Sequence, residues 1–248
     1  MREFGLLGFP LGHSFSKRYF TEKFQASNIE AQYSNFELEN ASDIIKVIET
    51  CTNLEGFNVT IPHKQAIIPL LHKISPEAEQ IGAVNCVKIE RKNGTTTLIG
   101  HNTDVIGFEA ALREFLGEAL PKKALVLGNG GAAKAVRYVL NKMGIEFLTV
   151  SRTPKNSQEI GYEGLESIIS DYKLIVNTTP LGTWPKTDTC PNIPYNSLTN
   201  EHYLFDLVYN PEVTMFMQQG LNVGTNVCNG YQMLVKQAEA GWKIWNEE

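Results

Sequence analysis

Short apolar runs alternate with amphipathic stretches along the N-terminal part of the chain. The apolar runs predict strands, and the stretches with apolar residues three or four positions apart predict helices. We expect strands at 3–7, 32–38 and 56–61 and helices at 14–27 and 41–50. This alternation is typical of an α/β layer with a mostly parallel sheet.

Two local sequence signals in the N-terminal part predict a helix start and a hairpin. Ser75-Pro76 predicts a helix start, because serine caps a helix and proline suits its first turn. Asn93-Gly94 predicts a tight turn between strands at 83–90 and 95–100. The sheet is therefore expected to carry an antiparallel hairpin at one side.

The C-terminal part repeats the alternation after a predicted helix at 105–116 and the breaker Pro121. The expected strands are 124–127, 147–150, 174–176 and 204–207, and a last helix is expected at 231–245. The polar, proline-bearing segment 184–194 is predicted to be a mobile surface flap. The chain thus predicts two α/β parts.

Composition and charge narrow the function classes. The 248 residues carry 22 basic and 27 acidic side chains, a formal charge of −5, which argues against a sequence-independent nucleic-acid binder. No apolar run approaches the length of a membrane helix, and no secretory leader is recognisable at the N-terminus. The four widely spaced cysteines fit free thiols in a reducing compartment and give no zinc motif. We expect a cytoplasmic protein without a metal.

A glycine-rich segment joins the predicted strand at 124–127 to the helix that follows. Gly128-Asn129-Gly130-Gly131-Ala132-Ala133 permits a tight turn and a close approach of the backbone to a pyrophosphate at the helix N-terminus. The segment is therefore predicted to bind a dinucleotide, although such turns also occur without a ligand.

The next strand ends in Ser151-Arg152-Thr153-Pro154-Lys155. NAD-binding units usually carry Asp or Glu at this strand end, where it binds the ribose hydroxyls. A guanidinium can bind a 2′-phosphate instead, and no acidic residue substitutes nearby in the sequence, so NADP is favoured over NAD. The alternative is a solvated basic turn.

Polar residues cluster near other predicted strand ends. Lys64 follows the strand of Gly56-Phe57-Asn58-Val59-Thr60, and its ammonium could donate a proton or bind an anion. The segment alone favours an ordinary surface lysine. Ser14 and Ser16, the amide of Asn85 and the carboxylate of Asp104 each have a capping or turn explanation. Together they suit a small polyhydroxylated acid.

These motifs occur in an order that resembles the shikimate dehydrogenase family over 8–237. The matching segments are Ser14-x-Ser16, Asn58-Val59-Thr60-x-Pro62-x-Lys64, Gly82-Ala83-Val84-Asn85, Asn102-Thr103-Asp104, the glycine loop, Ser151-Arg152-Thr153, Asn177-x-Thr179-Pro180-x-Gly182, Asp206-x-x-Tyr209-x-Pro211 and Gly230-x-x-Met233-Leu234-Val235-x-Gln237. Cys86 and Ser151 depart from the commoner threonine and asparagine of the family.

The resemblance implies an α/β fold of two domains and an activity. An N-terminal substrate domain at 1–103 would be followed by a Rossmann-type NADP domain at 104–228, with a C-terminal helix at 229–248 packing back onto the first. The implied reaction is the reversible, NADPH-dependent reduction of 3-dehydroshikimate to shikimate, in the pathway to chorismate and the aromatic amino acids. The implied partners are these small molecules, without nucleic acid or membrane, and the chain is expected to be a monomer or homodimer.

The resemblance also assigns roles to individual residues. Lys64 and Asp104 would be the catalytic pair, and which of them shuttles the proton stays open. Substrate contacts would be Ser14, Ser16, Thr60, Asn85 and Gln237, with Tyr209 close by. NADP(H) would contact Gly128, Gly130, Gly131, Ala132, Ser151, Arg152 and Thr153, with Gly230 near the nicotinamide.

Two rival functions remain. One is an NAD-dependent quinate or shikimate dehydrogenase, which Arg152 argues against. The other is a non-catalytic ligand sensor with the same fold, which has no need of both Lys64 and Asp104.

Overall fold

The fold was obtained as a computed structural model, which describes residues 1–12 and 15–247. Contacts divide the chain into two compact units. The first comprises Met1–Thr103 and Ala238–Glu248, and the second comprises Asp104–Gln237. Ser14, which begins the predicted helix at 14–27 and is an expected substrate contact, lies outside the described residues.

A six-stranded mixed sheet forms the centre of the first unit. Its strands are β1 (Arg2–Gly8), β2 (Ala31–Glu37), β3 (Leu54–Val59), β4 (Lys73–Ile74), β5 (Cys86–Lys92) and β6 (Thr95–His101). Its helices are α1 (Phe15–Ala26), α2 (Ile44–Thr50) and α3 (Pro76–Ile81). The strand order is β2-β1-β3-β5-β6-β4, and only the pairs β3·β5 and β5·β6 are antiparallel. The predicted hairpin in a mostly parallel sheet is confirmed.

Both faces of β1 are covered, which explains its nearly continuous apolar sequence. Phe4 belongs to an aromatic cluster on one face, whereas Leu7 belongs to the aliphatic cluster on the other. Trp245, near the C-terminus, completes the aromatic cluster, stacks on Phe4 and donates a hydrogen bond to the Val87 carbonyl at 3.0 Å. Its indole also contacts Gly56, where a side chain would collide with the ring.

The second unit contains a six-stranded sheet in which every pair is parallel. Its strands are β7 (Lys123–Leu127), β8 (Glu146–Val150), β9 (Glu159–Ile160), β10 (Leu174–Asn177), β11 (Tyr203–Asp206) and β12 (Asn226–Cys228). The helices of this part of the chain are α4 (Thr103–Leu116), α5 (Gly131–Lys142), α6 (Met215–Asn222) and α7 (Tyr231–Asn246). The order β12-β11-β10-β7-β8-β9 is that of a Rossmann sheet, as expected from the sequence.

Several element boundaries differ from the sequence expectation. Strand β3 ends at Val59 instead of 61, because the chain turns at Thr60, whose carbonyl accepts from the His63 amide at 2.9 Å. The predicted helix at 41–50 begins with a 3-10 turn over Ala41–Asp43. Segment 184–194 contains neither helix nor strand, and its mobility stays a prediction.

Candidate active site

Lys64 lies in a run of turns directly after β3. Its backbone carbonyl accepts a hydrogen bond from the Val84 amide at 2.8 Å, and the Val59 amide donates to the Asn85 carbonyl at 2.8 Å. These bonds attach both sides of the turn to the segment that leads into β5. The base of the half-buried lysine is therefore fixed, although its side chain is long and flexible.

The side chain of Asn85 connects the start of β5 to the start of α4. Its Oδ1 accepts from the Thr103 amide at 2.6 Å, and its Nδ2 lies 3.0 Å from Thr103 Oγ1. Asn85 is 3% exposed and Thr103 is fully buried. Asn85 therefore anchors Thr103, the residue that precedes the candidate catalytic Asp104 in the chain. This positioning role was not apparent from the sequence.

A second hydrogen-bonded series begins at α1. The Ser16 hydroxyl is hydrogen-bonded to Tyr33, whose hydroxyl donates to Asn58 Oδ1 at 2.7 Å. Asn58 Nδ2 in turn donates to the Asn85 carbonyl at 3.3 Å. Burial raises the pKa of Tyr33 well above its usual value, so this phenol stays a neutral hydrogen-bonding group. The series links Ser16 to the segment that carries Asn85.

Strand direction explains why these residues meet. The carboxyl ends of β1, β3 and β6 and the amino end of β5 share one edge of the sheet, as shown by the pairs Leu7↔Val59, Asn58↔Cys86 and Cys86↔His101. Thr60, Lys64 and Asn85 follow or precede these strand ends. The first unit therefore gathers hydroxyl, amide and ammonium groups at one edge.

Asp104 and Gln237 belong to the second unit, where α4 and α7 approach very closely. A Cβ atom at Gly107 would lie 2.5 Å from the Met233 carbonyl oxygen and 2.8 Å from Gln237 Cβ. Residues three apart share a helix face, so Asp104 lies one turn before this crossing. Gln237 is 6% exposed and its Nε2 donates to the Leu234 carbonyl at 3.0 Å.

We expect Gly107→Ala to destabilise the protein by about 2 kcal/mol, because backbone atoms of α7 would have to move away. Urea unfolding followed by circular dichroism measures this change. Gly130→Ala is the matched control: nothing lies within 4 Å of its added Cβ, and its φ of −83° suits alanine. Equal stability of the two variants would contradict the tight helix crossing.

A cavity of about 880 Å³ lies at the carboxyl edge of the second sheet. It is lined by the segments that follow β7, β8 and β10, among them Gly128, Gly130, Ser151, Arg152, Thr153, Lys155, Thr178 and Thr179. Between β7 and β10 the strand order reverses, and parallel sheets of this kind bind ligands outside such a point.

The glycine loop leaves the start of α5 open. Gly128 has a φ of +101° and lies against Thr178 and Thr179, so a side chain is disfavoured there by conformation and by space. Gly130 and Gly131 would meet nothing within 4 Å. Gly130 caps α5 without a side-chain hydrogen bond, and Gly131 and Ala132 are exposed. The backbone is therefore accessible to an anion at the N-terminus of α5.

Arg152 and Lys155, in the basic turn after β8, line the same cavity. Binding of a 2′-phosphate requires such cations at this place. One sequence argument was wrong, however, because an acidic residue does lie nearby. The Glu159 carboxylate accepts from the Lys155 amide at 3.0 Å and from Ser151 Oγ at 3.3 Å. Glu159 reaches this position from β9, a two-residue strand that the sequence pattern did not reveal.

A buried carboxylate organises the loops beyond β10 and β11. Asp206 accepts from Asn177 Nδ2 at 2.9 Å, from the Val208 amide at 3.0 Å and from Thr214 Oγ1 at 2.6 Å. Asn177 Oδ1 also accepts from the hydroxyl of Thr179, a residue that lines the cavity, at 2.7 Å. Burial raises the pKa of Asp206 to about 6. These motif residues therefore shape the cavity wall.

Tyr209 and Gly230 lie next to this network. Tyr209 is 38% exposed in the loop after β11. Gly230 is buried directly before α7, where any side chain would collide with the Leu207 carbonyl, and its amide donates to the Val208 carbonyl at 3.2 Å. The structure thus assigns Gly230 a close backbone contact, and its place near the nicotinamide stays a prediction.

Two properties of the whole described chain bear on the site. Within residues 1–12 and 15–247, no cluster of three His, Cys, Asp or Glu side chains could hold a metal ion. The same part of the chain contains no helix long and apolar enough to cross a membrane.

Comparison with known proteins gives a consistent result. The family model for the shikimate dehydrogenase substrate binding domain matches residues 6–87. Shikimate dehydrogenase (NADP(+)) of Methanococcus maripaludis is 38% identical, over 97% of this chain and 90% of its own. The Clostridium beijerinckii enzyme of the same name is 39% identical, over 100% and 93%.

A solved structure extends this similarity to the fold. The crystal structure of shikimate 5-dehydrogenase from Thermus thermophilus, in complex with NADP(H) and shikimate, has a TM-score of 0.84 and 30% identity, and the match covers 99% of this chain and 94% of that one. Similarity of this extent includes both units. The chain belongs to the shikimate dehydrogenase family.

Proposed function

We propose that this chain catalyses the reversible, NADPH-dependent reduction of 3-dehydroshikimate to shikimate, a step of the pathway to chorismate and the aromatic amino acids. In the oxidative direction the C3 hydroxyl loses its proton and its carbon loses a hydride to NADP+, which yields the ketone, NADPH and one proton. The observation that carries the proposal is the cavity that begins at the glycine loop and ends at Arg152 and Lys155, in a chain similar over its full length to shikimate dehydrogenases.

The first unit supplies the substrate-binding groups in this proposal. Ser16, Thr60 and Asn85 would bind the carboxylate and hydroxyls of shikimate, together with Ser14, and Gln237 would contribute from α7 with Tyr209 close by. The buried bonds between Asn85 and Thr103 support this assignment, since they hold that amide and its neighbours in one arrangement. Preorganised polar groups discriminate strongly against ligands that leave them unpaired.

Lys64 and Asp104 act as the catalytic pair. Negative charge develops on the carbonyl oxygen as the ketone is reduced, and the Lys64 ammonium stabilises this charge and delivers the proton. In this proposal Asp104 would orient the lysine and a substrate hydroxyl, and Asn85 anchors Thr103, the residue that precedes it. The lysine regains its proton from solvent.

The residues of the cavity fit the dinucleotide. Gly130 lines the cavity, and the amides of Gly130, Gly131 and Ala132 at the exposed start of α5 would bind the pyrophosphate. Arg152 with Lys155 would provide positive charge for a 2′-phosphate. Ser151 and Thr153 would add hydroxyl contacts to this end, and Gly230 would lie near the nicotinamide. When bound, the cofactor supplies or accepts the hydride.

Arg152→Ala should raise the KM for NADP+ by roughly 10- to 100-fold, the value of a charge-assisted contact to a phosphate. The KM for NAD+ should change little, because NAD+ lacks this phosphate. Initial rates of shikimate oxidation with each cofactor measure both constants. Lys186→Ala, an exposed cation outside the cavity, is the control. A parallel loss with NAD+ would refute the assignment of Arg152 to the 2′-phosphate.

One assay separates the proposed function from its rivals. Absorbance of reduced nicotinamide is followed with shikimate or quinate as substrate and with NADP+ or NAD+ as cofactor. The proposal expects the highest kcat/KM for shikimate with NADP+. A preference for quinate with NAD+ would instead identify a quinate dehydrogenase. Shikimate binding without turnover would identify a sensor.

The proposal also covers the cellular compartment and the oligomeric state of the protein. Cytoplasmic placement is supported by four cysteines that are all free. A monomer or a homodimer is expected, and sedimentation velocity distinguishes the two.

A further inference from the structure

Glu159 places a carboxylate beside the turn proposed to bind the 2′-phosphate of NADP. It lies in β9 beside the end of β8, where Thr149 pairs with Glu159 and the Ser151 amide donates to the Ile160 carbonyl at 3.0 Å. This pairing directs the half-buried carboxylate toward the turn that carries Arg152.

Four donors hold the Glu159 carboxylate in place. Oε2 accepts from the Lys155 amide at 3.0 Å and from Ser151 Oγ at 3.3 Å. Oε1 accepts from Asn129 Nδ2 at 3.0 Å and from Asn156 Nδ2 at 3.2 Å. Three of the donor residues, Asn129, Ser151 and Lys155, line the dinucleotide cavity. Glu159 itself does not line the cavity, so its carboxylate lies behind the wall that these residues form at the end of β8.

The charge at the end of β8 affects whether the site prefers NAD or NADP. A carboxylate at the end of the second strand of a Rossmann sheet accepts hydrogen bonds from the ribose hydroxyls of NAD. In this chain Ser151 occupies the strand end, and the Glu159 carboxylate lies behind it on the adjacent strand. The same negative charge opposes a 2′-phosphate, which Arg152 and Lys155 attract.

We propose that Glu159 is a specificity-determining residue that lowers the preference of this site for NADP over NAD. The inference rests on the proposed function, since it concerns the cofactor of that reaction. The negative charge of Glu159, held behind the cavity wall, opposes a 2′-phosphate but not the uncharged 2′-hydroxyl of NAD, so NAD is bound as a usable second cofactor. Arg152 and Lys155 retain NADP binding against this repulsion.

Glu159→Gln tests the inference, because glutamine keeps an acceptor oxygen and removes the charge. Calorimetry with 2′,5′-ADP and 5′-AMP measures the adenosine end of the site without catalysis. Removal of one negative charge from behind the wall that carries Ser151 and Lys155 should tighten 2′,5′-ADP about tenfold. Binding of 5′-AMP should stay the same or weaken. The ratio of kcat/KM for NADP+ to that for NAD+ should rise by a similar factor.

Glu163→Gln provides the matched control, since it removes the same charge from an exposed position four residues away, whereas Glu159 is hydrogen-bonded to the lining residues Ser151 and Lys155. An equal loss for both nucleotides in Glu159→Gln would show that Glu159 only braces the turn, and would overturn the inference. Unchanged affinities would overturn it too. If no variant oxidises shikimate, the proposed function fails separately, while the calorimetric comparison still decides the role of Glu159.

Discussion

Replacing Lys64 with alanine should lower kcat for shikimate oxidation by roughly a hundredfold to ten-thousandfold, with a change in KM of only a few-fold. This range is typical for loss of a positioned proton donor that also stabilises a developing oxyanion. An effect confined to kcat indicates an interaction made mainly in the transition state. The turn around Lys64 is anchored by the Val84 amide, so the substitution should leave the backbone in place.

Steady-state kinetics with shikimate and NADP+ provides both constants. Lys73→Ala is a suitable control, because Lys73 is an exposed lysine of the same unit that lies in β4. Its kcat and KM should match those of the unmodified protein. A Lys64→Ala variant with unchanged kcat would contradict the assignment of Lys64 as proton donor.

Replacing Asp206 with alanine should cost about 3–5 kcal/mol of unfolding free energy. The side chain is fully buried and accepts three hydrogen bonds, from Asn177, Val208 and Thr214. Removing it would leave these donors unpaired inside the protein, which is the costly outcome for a buried polar network. Urea unfolding measures the loss, and a cost below about 1 kcal/mol would show that water or a shifted loop replaces the carboxylate.

The pH dependence of stability tests the same group without removing its volume. Burial raises the pKa of Asp206 from 3.8 to about 6, so the folded state binds the proton more tightly than the unfolded state. Stability from this group is therefore greatest at low pH and falls as pH rises from about 4 to about 6. Asp206→Asn, which stays neutral, should lack this decline. Parallel pH profiles for the two proteins would contradict a raised pKa.

Much of the second unit was predictable, because its signals are local. The glycine loop lies between an apolar strand and an amphipathic helix, and this order alone indicates a dinucleotide turn. The sequence analysis did not predict helix α6, in which Gly220 interrupts the spacing of apolar residues. Gly220 is required by tertiary contacts, since a side chain would collide with Leu204 and Thr225. No short window of sequence contains that information.

In the polar site, too, the local motifs were predictable from the sequence, whereas the contacts between distant residues were not. The residue types at Lys64 and Asn85 were identified from their motifs, but the bonds from Asn85 to Thr103 join positions 18 residues apart. Tyr33 meets Asn58 because their strands, β2 and β3, both pair with β1. The contact of Glu159 with Ser151 depends on a strand of only two residues. Hydrogen-bond partners of this kind depend on the register of paired strands and on the course of the loops, and sequence patterns predict both poorly.

The measurement that most directly tests the central claim is the single-turnover rate of NADP+ reduction by Lys64→Ala with shikimate and NADP+ both saturating. Saturation removes substrate affinity from the comparison, so only the chemical step is observed. The account predicts a fall of at least about a hundredfold relative to the unmodified protein, with shikimate affinity within a few-fold. A single-turnover rate equal to that of the unmodified protein would contradict a role for Lys64 in catalysis.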